Sequence, residues 1–473
     1  MRRLDGISHL TMKVSIQRRY STKTIREALR YKSCLGRTRC LERPRCRFCG
    51  SSDVVKFGFN STKSSRKQRY LCKRCLATFT PTSELVKGNR FDEKGAEDVQ
   101  HLKLEGLGNF RRLVEQIVHR PLDFELYPQA VYSTETFLDL LTHIATTHDF
   151  VESGSMTFKL LRGEGPSADD LLWHVGGFDE AEVRQKFNEA FDRILTRAQP
   201  FGFSRRKMFD VAIDVHDWLW YGKPVERALK TKPKRGTSRA FKFISISVLR
   251  GGFRFVLFAL PVEKQRDFVG KVEELLRFTL QWVKIRRVYL DGEFYQVRMV
   301  RLLKKLGLRF VIRASISSKR LKERVKRAKP PALIQHTMWS KAGKERVNLL
   351  VVWGRRELKG EKTGHPRRKK QCFLTNLEIT EEGVERLAED FGKRWGIETS
   401  YRVMKDFRPR TASPNYVVRF FLFMFSVCLH NCWVLANLFV GETVLRFVPN
   451  KPFITAKMFC VMLYLPGLPF NPG

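Results

Sequence analysis

MFDVAID (residues 208–214) is a short apolar run that ends on a carboxylate, Asp214, and RRVYLDGEF (286–294) reaches Asp291 in the same way. Runs of this length and composition read as strands. Between them, FKFISISVL (241–249) and GFRFVLFALPV (252–262) meet at Gly251-Gly252 as an antiparallel pair, and RDFVGKVEELLRFTLQWVKI (266–285) has the period of an amphipathic helix. YQVRMVRLLKKLG is the next helix and LRFVIRAS (308–315) a further strand. The order is three strands, helix, strand, helix, strand. A mixed sheet of this kind holds ligands beyond the carboxyl ends of its parallel strands, where Asp214 and Asp291 would both lie. Asp210 shares a strand face with Asp214 one pleat deeper, which suits a structural role. His216 and Asp217 are expected in a loop beyond the strand. Glu293 is the alternative to Asp291, but Asp291 ends the strand directly.

Further along, FGKRWGIETSYRVMK (391–405) follows TEEGVERLAED, in which Thr380 is an N-cap and the next turn is acidic. On a helical period Phe391, Arg394, Glu398 and Lys405 share one face. A solvated charged helix is the plain reading of such a run. Trp395, Ile397 and Tyr401 make it partly buried, however, and a lone glutamate there is costly without partners.

The chain has 473 residues, room for two or three domains, and a net charge of +41. A field of that sign selects polyanions: nucleic acid first, an anionic membrane second. The basic N-terminus lacks the apolar run of a cleavable signal peptide. Charge is zoned. Residues 1–80 hold 21 Lys/Arg against 4 Asp/Glu, residues 86–200 hold 13 against 20, and the remainder is basic again. The expected organisation is a basic segment (1–40), a metal-binding module (41–85), a helical and net acidic segment (86–200), an α/β domain (201–440) and a tail (441–473).

Six of the ten cysteines lie between Cys34 and Cys75. Cys46-x2-Cys49 and Cys72-x2-Cys75, with 22 residues between the pairs, supply four thiolates for a tetrahedral structural Zn²⁺. VVKFGF and KQRYLC alternate between them as a hairpin, so the module reads as a zinc ribbon. Its tip carries Lys63, Arg66, Lys67 and Arg69, with Phe57 and Tyr70 nearby, a surface suited to DNA phosphates. In the acidic middle, Ser167 and Asp179 precede helical runs as caps, and a dimerisation, packing or DNA-binding role remains open.

AIDVHDW, YLDGEFY and the F-x2-R-x3-E-x6-K pattern at 391–405, in that order, resemble the DDE transposases of prokaryotic insertion sequences. The resemblance covers roughly residues 205–440. It implies a ribonuclease H-like mixed sheet with a β-rich insertion, here 316–378. In one branch the late helix carries Tyr-Arg-Glu-Lys; this chain matches at Arg394, Glu398 and Lys405 and has Phe391 in place of the tyrosine. The resemblance implies two Mg²⁺ or Mn²⁺ ions, with Asp214 bridging and Asp291 and Glu398 completing either side, because hard cations take oxygen ligands. Arg394 and Lys405 would hold DNA phosphates.

Two basic clusters, 319–329 with seven Lys/Arg and 355–370 with eight, fall in the insertion and suit a DNA-backbone channel. Trp339 and Trp353 are expected in the core, with stacking on an unpaired base as the alternative. YVVRFFLFMFSVCLHNCWVLANLFV (416–440) is apolar enough to imitate a membrane span, and the resemblance implies a buried helix instead. The expected activity is cleavage and strand transfer at the element's own ends, with double-stranded DNA as partner. A homodimer on DNA, no membrane contact and a cytoplasmic, nucleoid-associated location complete the expectation. The alternatives are a metal-dependent nuclease or resolvase without strand transfer, and a non-enzymatic zinc-ribbon DNA-binding protein.

Overall fold

The computed structural model describes residues 46, 52–61, 66–73, 78–79, 110–204, 206–249, 254–264, 267–357, 368–392, 402–443 and 452–464. They fall in two compact units, Met1–Asp92 and Glu93–Gly473.

In the first unit, β1 (Val54–Ser61) and β2 (Arg66–Cys72) form the expected antiparallel hairpin, and β3 (Thr78–Phe79) pairs with β2. Cys46, Val54 and Cys72 are its buried residues, with Tyr70 packed against them. A core of that size is too small to pay the entropy of ordering a domain alone, which is the usual setting for a staple of some kind.

The second unit begins with helices. Ser167 Oγ accepts from the Asp170 amide at 3.0 Å and starts helix Ala168–Gly177. Asp179 and Glu182 exchange hydrogen bonds, a capping box, at the start of helix Glu180–Ala198. Both pack against helix Tyr416–Thr443, where the Phe421 ring meets Phe178 at 5.9 Å and Phe187 at 5.1 Å. The net acidic segment therefore shares one hydrophobic core with the sheet that follows.

That sheet has nine strands: β4 (Met208–Leu219), β5 (Leu229–Lys234), β6 (Thr237–Leu249), β7 (Val256–Val262), β8 (Lys284–Leu290), β9 (Phe310–Arg313), β10 (Ala332–Ser340), β11 (Gly343–Glu357) and β12 (Arg368–Thr375). The spatial order is β10-β11-β12-β9-β8-β4-β6-β5, with β7 also paired to β6. β4, β8 and β9 are parallel; β6 is antiparallel to β4 and β7 to β6. Helices Phe268–Trp282 and Val297–Lys305 supply the crossovers that parallel neighbours require. Strands covered on both faces read as near-continuous apolar runs, which is why β6 to β9 are legible in sequence.

Several boundaries differ from expectation, each for a physical reason. β4 runs five residues past Asp214 because its ladder with β6 continues from Val215↔Ile244 to Leu219↔Ala240. His216 and Asp217 are thus strand residues and not loop residues. β8 stops at Leu290, and 292–294 is a 3₁₀ turn capped by Asp291. β5, reading LKTKPK, is a polar edge strand with no apolar alternation to reveal it. In the insertion, the first basic cluster is largely helix Lys319–Arg327, whose Leu321 and Val325 are buried while the cations lie on the remaining faces.

Helix Tyr416–Thr443 is long and apolar enough to cross a membrane, and 94% of its apolar window is buried inside the protein. Its polar residues serve the fold. Asn431 donates to the Val256 carbonyl at 2.7 Å and accepts from the Val256 amide at 3.0 Å, pinning the start of β7. Asn437 accepts from the Ile454 amide at 2.8 Å. A buried helix that satisfies strand ends in this way is part of the sheet's own core.

Candidate active site

The register of the parallel pair β4 and β8 builds the site. Ala212 lies beside Tyr289 and Ile213 beside Leu290, so the next residues, Asp214 and Asp291, come side by side at the carboxyl end of β8. The last registered pair is Ile213 and Leu290, and paired strands run ~4.8 Å apart, so Asp214 and Asp291 are the residues that directly follow neighbouring positions on the two strands. Both are half-buried. Asp214 Oδ1 accepts from the Val215 amide at 2.9 Å, and Asp291 Oδ1 from the Gly292 amide at 2.7 Å. One oxygen of each is thereby oriented by backbone. Two carboxylates held in this way are a hard, all-oxygen donor pair, which fits Mg²⁺ or Mn²⁺ and not a softer metal. No group of three His, Cys, Asp or Glu side chains with metal-ligand placement occurs among the described residues.

Arg394 and Glu398 lie outside the described residues, but the chain on either side of them is placed. Helix Glu381–Gly392 begins directly after Thr380 and ends against β8. Phe391 is buried, with its ring centroid 4.6 Å from Phe373 and 6.0 Å from Tyr289, two residues before Asp291. Asp390 accepts from Arg287 Nη1 at 3.0 Å and ties the same helix to the same strand. Beyond the gap, the helical turn 402–406 carries Lys405, which acts electrostatically on His216, two residues past Asp214. The two described flanks therefore meet the sheet on the face that bears Asp214 and Asp291. Phe391, standing where the resembled pattern has tyrosine, is a packing residue, and its missing hydroxyl costs nothing in this apolar setting.

The neighbouring titratable groups have structural partners. Asp210 is buried and takes both Nε and Nη2 of Arg286, at 2.8 and 2.6 Å, and is also within reach of Arg287. This is the structural role its depth suggested. Asp217 accepts from the buried Lys242 at 2.7 Å and from Lys234 at 3.0 Å; burial raises its pKa, and the two lysines more than offset this and hold it below the usual carboxylate value. His216 is buried against Phe423 and shares a 2.8 Å hydrogen bond with Ser245. Burial, with Lys405 and Arg408 nearby, pushes its pKa down to about 3, so the ring is neutral.

Other expected site residues are spread out. Cys46 and Cys72 are buried together in the small unit; Cys49 and Cys75 lie outside the described residues. Arg66, Lys67 and Arg69 sit on β2, with their side chains outside the description. Trp339 and Trp353 are a correction: they are 72% and 46% exposed and not core residues, because Trp339 stands beside the β10–β11 turn and Trp353 where the β11–β12 register breaks. Lys344 and Lys370 lie over their rings at 5.6 Å in each case. His336 is half-buried near Tyr295. His365 lies outside the described residues.

Sequence reasoning missed a groove beside the carboxylates. His216 and Trp218, on the Asp214 face of β4, line it together with Trp220, Lys234, Arg235, Lys405, Arg408 and Arg419. Arg408 covers the Trp218 ring at 4.2 Å, and Arg419 lies 4.9 Å from Trp220 and 4.8 Å from Phe241. The only signal was Arg419 itself, which reads in sequence as an interruption of an apolar helix.

Residues 211–432 match the family described as "Transposase DDE domain". Among solved structures, a piggyBac transposase synaptic complex with hairpin DNA aligns with a TM-score of 0.46 and 10% identity, covering 76% of this chain and 77% of that one. No curated protein matches the chain. The matched span opens at Val211, within the strand that delivers Asp214, and closes at Cys432, within the buried helix: the chain carries a DDE-type transposase domain and is an enzyme of that type.

Proposed function

We propose that this transposase cuts DNA at the ends of its own insertion sequence and joins them to target DNA, with Asp214, Asp291 and Glu398 as the carboxylates of the reacting site. The observation that carries the reading is the β4–β8 register, which brings Asp214 and Asp291 side by side at one end of parallel strands. The order β7-β6-β4-β8-β9, with β6 alone reversed, suits the ribonuclease H-like core that the resemblance implies.

Asp214 and Asp291 would hold two Mg²⁺ or Mn²⁺ ions with Glu398 as the third ligand. Such a pair, when bound, supplies charge stabilisation at the phosphoryl group and a more acidic attacking hydroxyl. The chain itself supplies orientation. Backbone amides of Val215 and Gly292 orient one oxygen of each aspartate. Lys405, partly desolvated and beside Arg408, Arg235 and Lys234, has its pKa lowered and gains from an anion's approach. It and Arg394 would hold strand phosphates. His216, neutral and bonded to Ser245, keeps the floor beside Asp214 free of added positive charge.

In the same reading the small unit is a zinc ribbon closed by Cys46, Cys49, Cys72 and Cys75, presenting Arg66, Lys67 and Arg69 to DNA. The buried proximity of Cys46 and Cys72 at the hairpin base supports it. Acting on two ends makes a homodimer on DNA the working assembly, in a cytoplasmic, nucleoid-associated setting. The test is to incubate purified protein and Mg²⁺ with labelled DNA from the borders of its element. Joined product supports the reading, cleavage without joining reduces it to a nuclease or resolvase, and no cleavage at all contradicts it.

A further inference from the structure

The groove beside Asp214 holds more positive charge than its own residues neutralise. Lys234, Arg235, Lys405, Arg408, Arg410 and Arg419 all line it, and Asp217, the one carboxylate among its described lining residues, is already shared by Lys234 and Lys242. Among the described residues no carboxylate lies within ion-pair distance of Arg408 or Arg419. Arg419 is 2% exposed; it donates to the carbonyls of Ser413 and Thr411 at 2.7 and 3.1 Å, and its Nη1 has no hydrogen bond among the described residues. Burying a guanidinium with an unused donor is costly unless a ligand completes it. Burial lowers the pKa of both arginines to about 10, with each further lowered by a neighbouring arginine, which is the electrostatic form of the same deficit.

A second observation comes from the rim. Arg235 and Gly236 form the two-residue turn between β5 and β6, with φ of 47° and 86°. Both central residues of such a hairpin turn need positive φ, which suits Asn-Gly and costs an arginine roughly 1 kcal/mol or more. The strained turn holds an exposed cation over a groove that already has an excess.

We propose that this groove seats a backbone phosphate of the DNA strand running past Asp214, with Arg235 and Arg408 as its ligands and the buried Arg419 as a fixed positive charge behind them. The phosphate would accept from Arg235 at the rim and from the Arg408 guanidinium, which the Trp218 ring holds flat. His216 and Trp218 follow Asp214 on the same strand face by two and four residues, so the seat lies roughly 7–13 Å from the carboxylates at ~3.3 Å per residue. That separation corresponds to a phosphate one or two nucleotides from the one that reacts. The proposal rests on the DNA reading above and adds to it residues outside the Arg394–Glu398–Lys405 pattern.

The test uses full-length protein and a fluorescent DNA duplex in EDTA, so that affinity is read without cleavage, over a series of salt concentrations. Arg408→Gln and Arg235→Gln are each expected to weaken binding by about tenfold and to reduce the salt slope by about one. Arg408→Lys should regain the slope and only part of the affinity, because charge returns without the fork. Inorganic phosphate should compete only weakly, since it lacks the rest of the strand. Unchanged affinity and slope in both Gln variants would overturn the proposal. So would tight saturation by inorganic phosphate that leaves DNA binding intact, which would make this a free-anion site. If Arg408→Gln fails to fold, Arg235→Gln, at an exposed turn, still decides. Asp214→Asn in the same assay separates the two readings: it should bind DNA normally whether or not it cleaves, so a wrong assignment of the carboxylates leaves the groove result standing.

Discussion

Asp210 and Asp214 stand four residues apart on one face of one strand, and the fold treats them in opposite ways. Asp210 lies deep, gripped by Arg286 through both oxygens and approached by Arg287, so its charge is spent on joining β4 to β8. Asp214 stands where β8 ends, half-buried, beside a second carboxylate that the register brings to it. An acid inside the sheet is stabilised by arginines. Two acids follow the last registered pair at its edge, a donor set of the kind that hard cations take. Position along a parallel strand, and not residue type, separates the structural aspartate from the one proposed for the chemistry.

Substituting each aspartate sharpens that contrast most. Asp214→Asn should lower DNA cleavage by about 10³-fold or more while leaving the melting temperature unchanged. Asp210→Asn should do the reverse. It removes the carboxylate of Arg286, while Arg287 keeps Asp390, and costs about 2 kcal/mol, less than a fully buried pair because the Arg286 side chain is 52% exposed; its folded fraction should still cleave. Calorimetry and a cleavage assay on both variants would show it; equal loss of activity would erase the distinction.

Phe391 tests the same boundary from the helix side. As a 3% exposed ring between Tyr289 and Phe373, its truncation to Ala should cost about 3 kcal/mol in denaturant unfolding. Phe391→Tyr restores the residue of the resembled pattern, yet should lower stability by about 1–3 kcal/mol, the cost of a buried hydroxyl without a partner.

Acid should weaken the fold. His216 has a folded pKa of about 3 and His119 of about 4, both lowered chiefly by burial. A histidine depressed in the folded state contributes fully above its ordinary value near 6.5, and that contribution is lost as pH falls through it. Each should therefore cost about 2 kcal/mol between pH 6.5 and 5. Urea unfolding at the two pH values measures their sum together with that of His430, also lowered by burial to about 4, and His216→Asn should reduce the difference. The smallest effect belongs to the insertion: Trp339→Ala and Trp353→Ala, at exposed positions, should change stability by less than about 0.5 kcal/mol. A larger loss would return them to the core.

How much of this could be read from sequence follows from the same physics. Strands buried on both faces announce themselves as apolar runs, and Asp214 and Asp291 were legible because each interrupts such a run at its end. Caps at Ser167 and Asp179 were legible because capping is local chemistry. The polar edge strand Leu229–Lys234 was not, since an edge carries no apolar alternation, nor was the extension of β4 to Leu219, which depends on a ladder with residues 240–244. The cationic groove was hidden for a similar reason. Its walls come from residues 218–220, 234–235, 408 and 419, which only the fold brings together. Arg419 looked like a flaw in an apolar helix because sequence shows its neighbours on the chain and not the tryptophans it covers.

The central claim is that three carboxylates, two placed by the β4–β8 register and one carried at position 398, act as one metal-holding unit. The most direct measurement compares Mg²⁺-dependent cleavage of element-end DNA by the wild-type chain and by Asp214→Asn, Asp291→Asn and Glu398→Gln, all shown to be folded. The account predicts cleavage by the wild type and its loss in all three variants to a similar degree. Cleavage that persists in any one of them contradicts it.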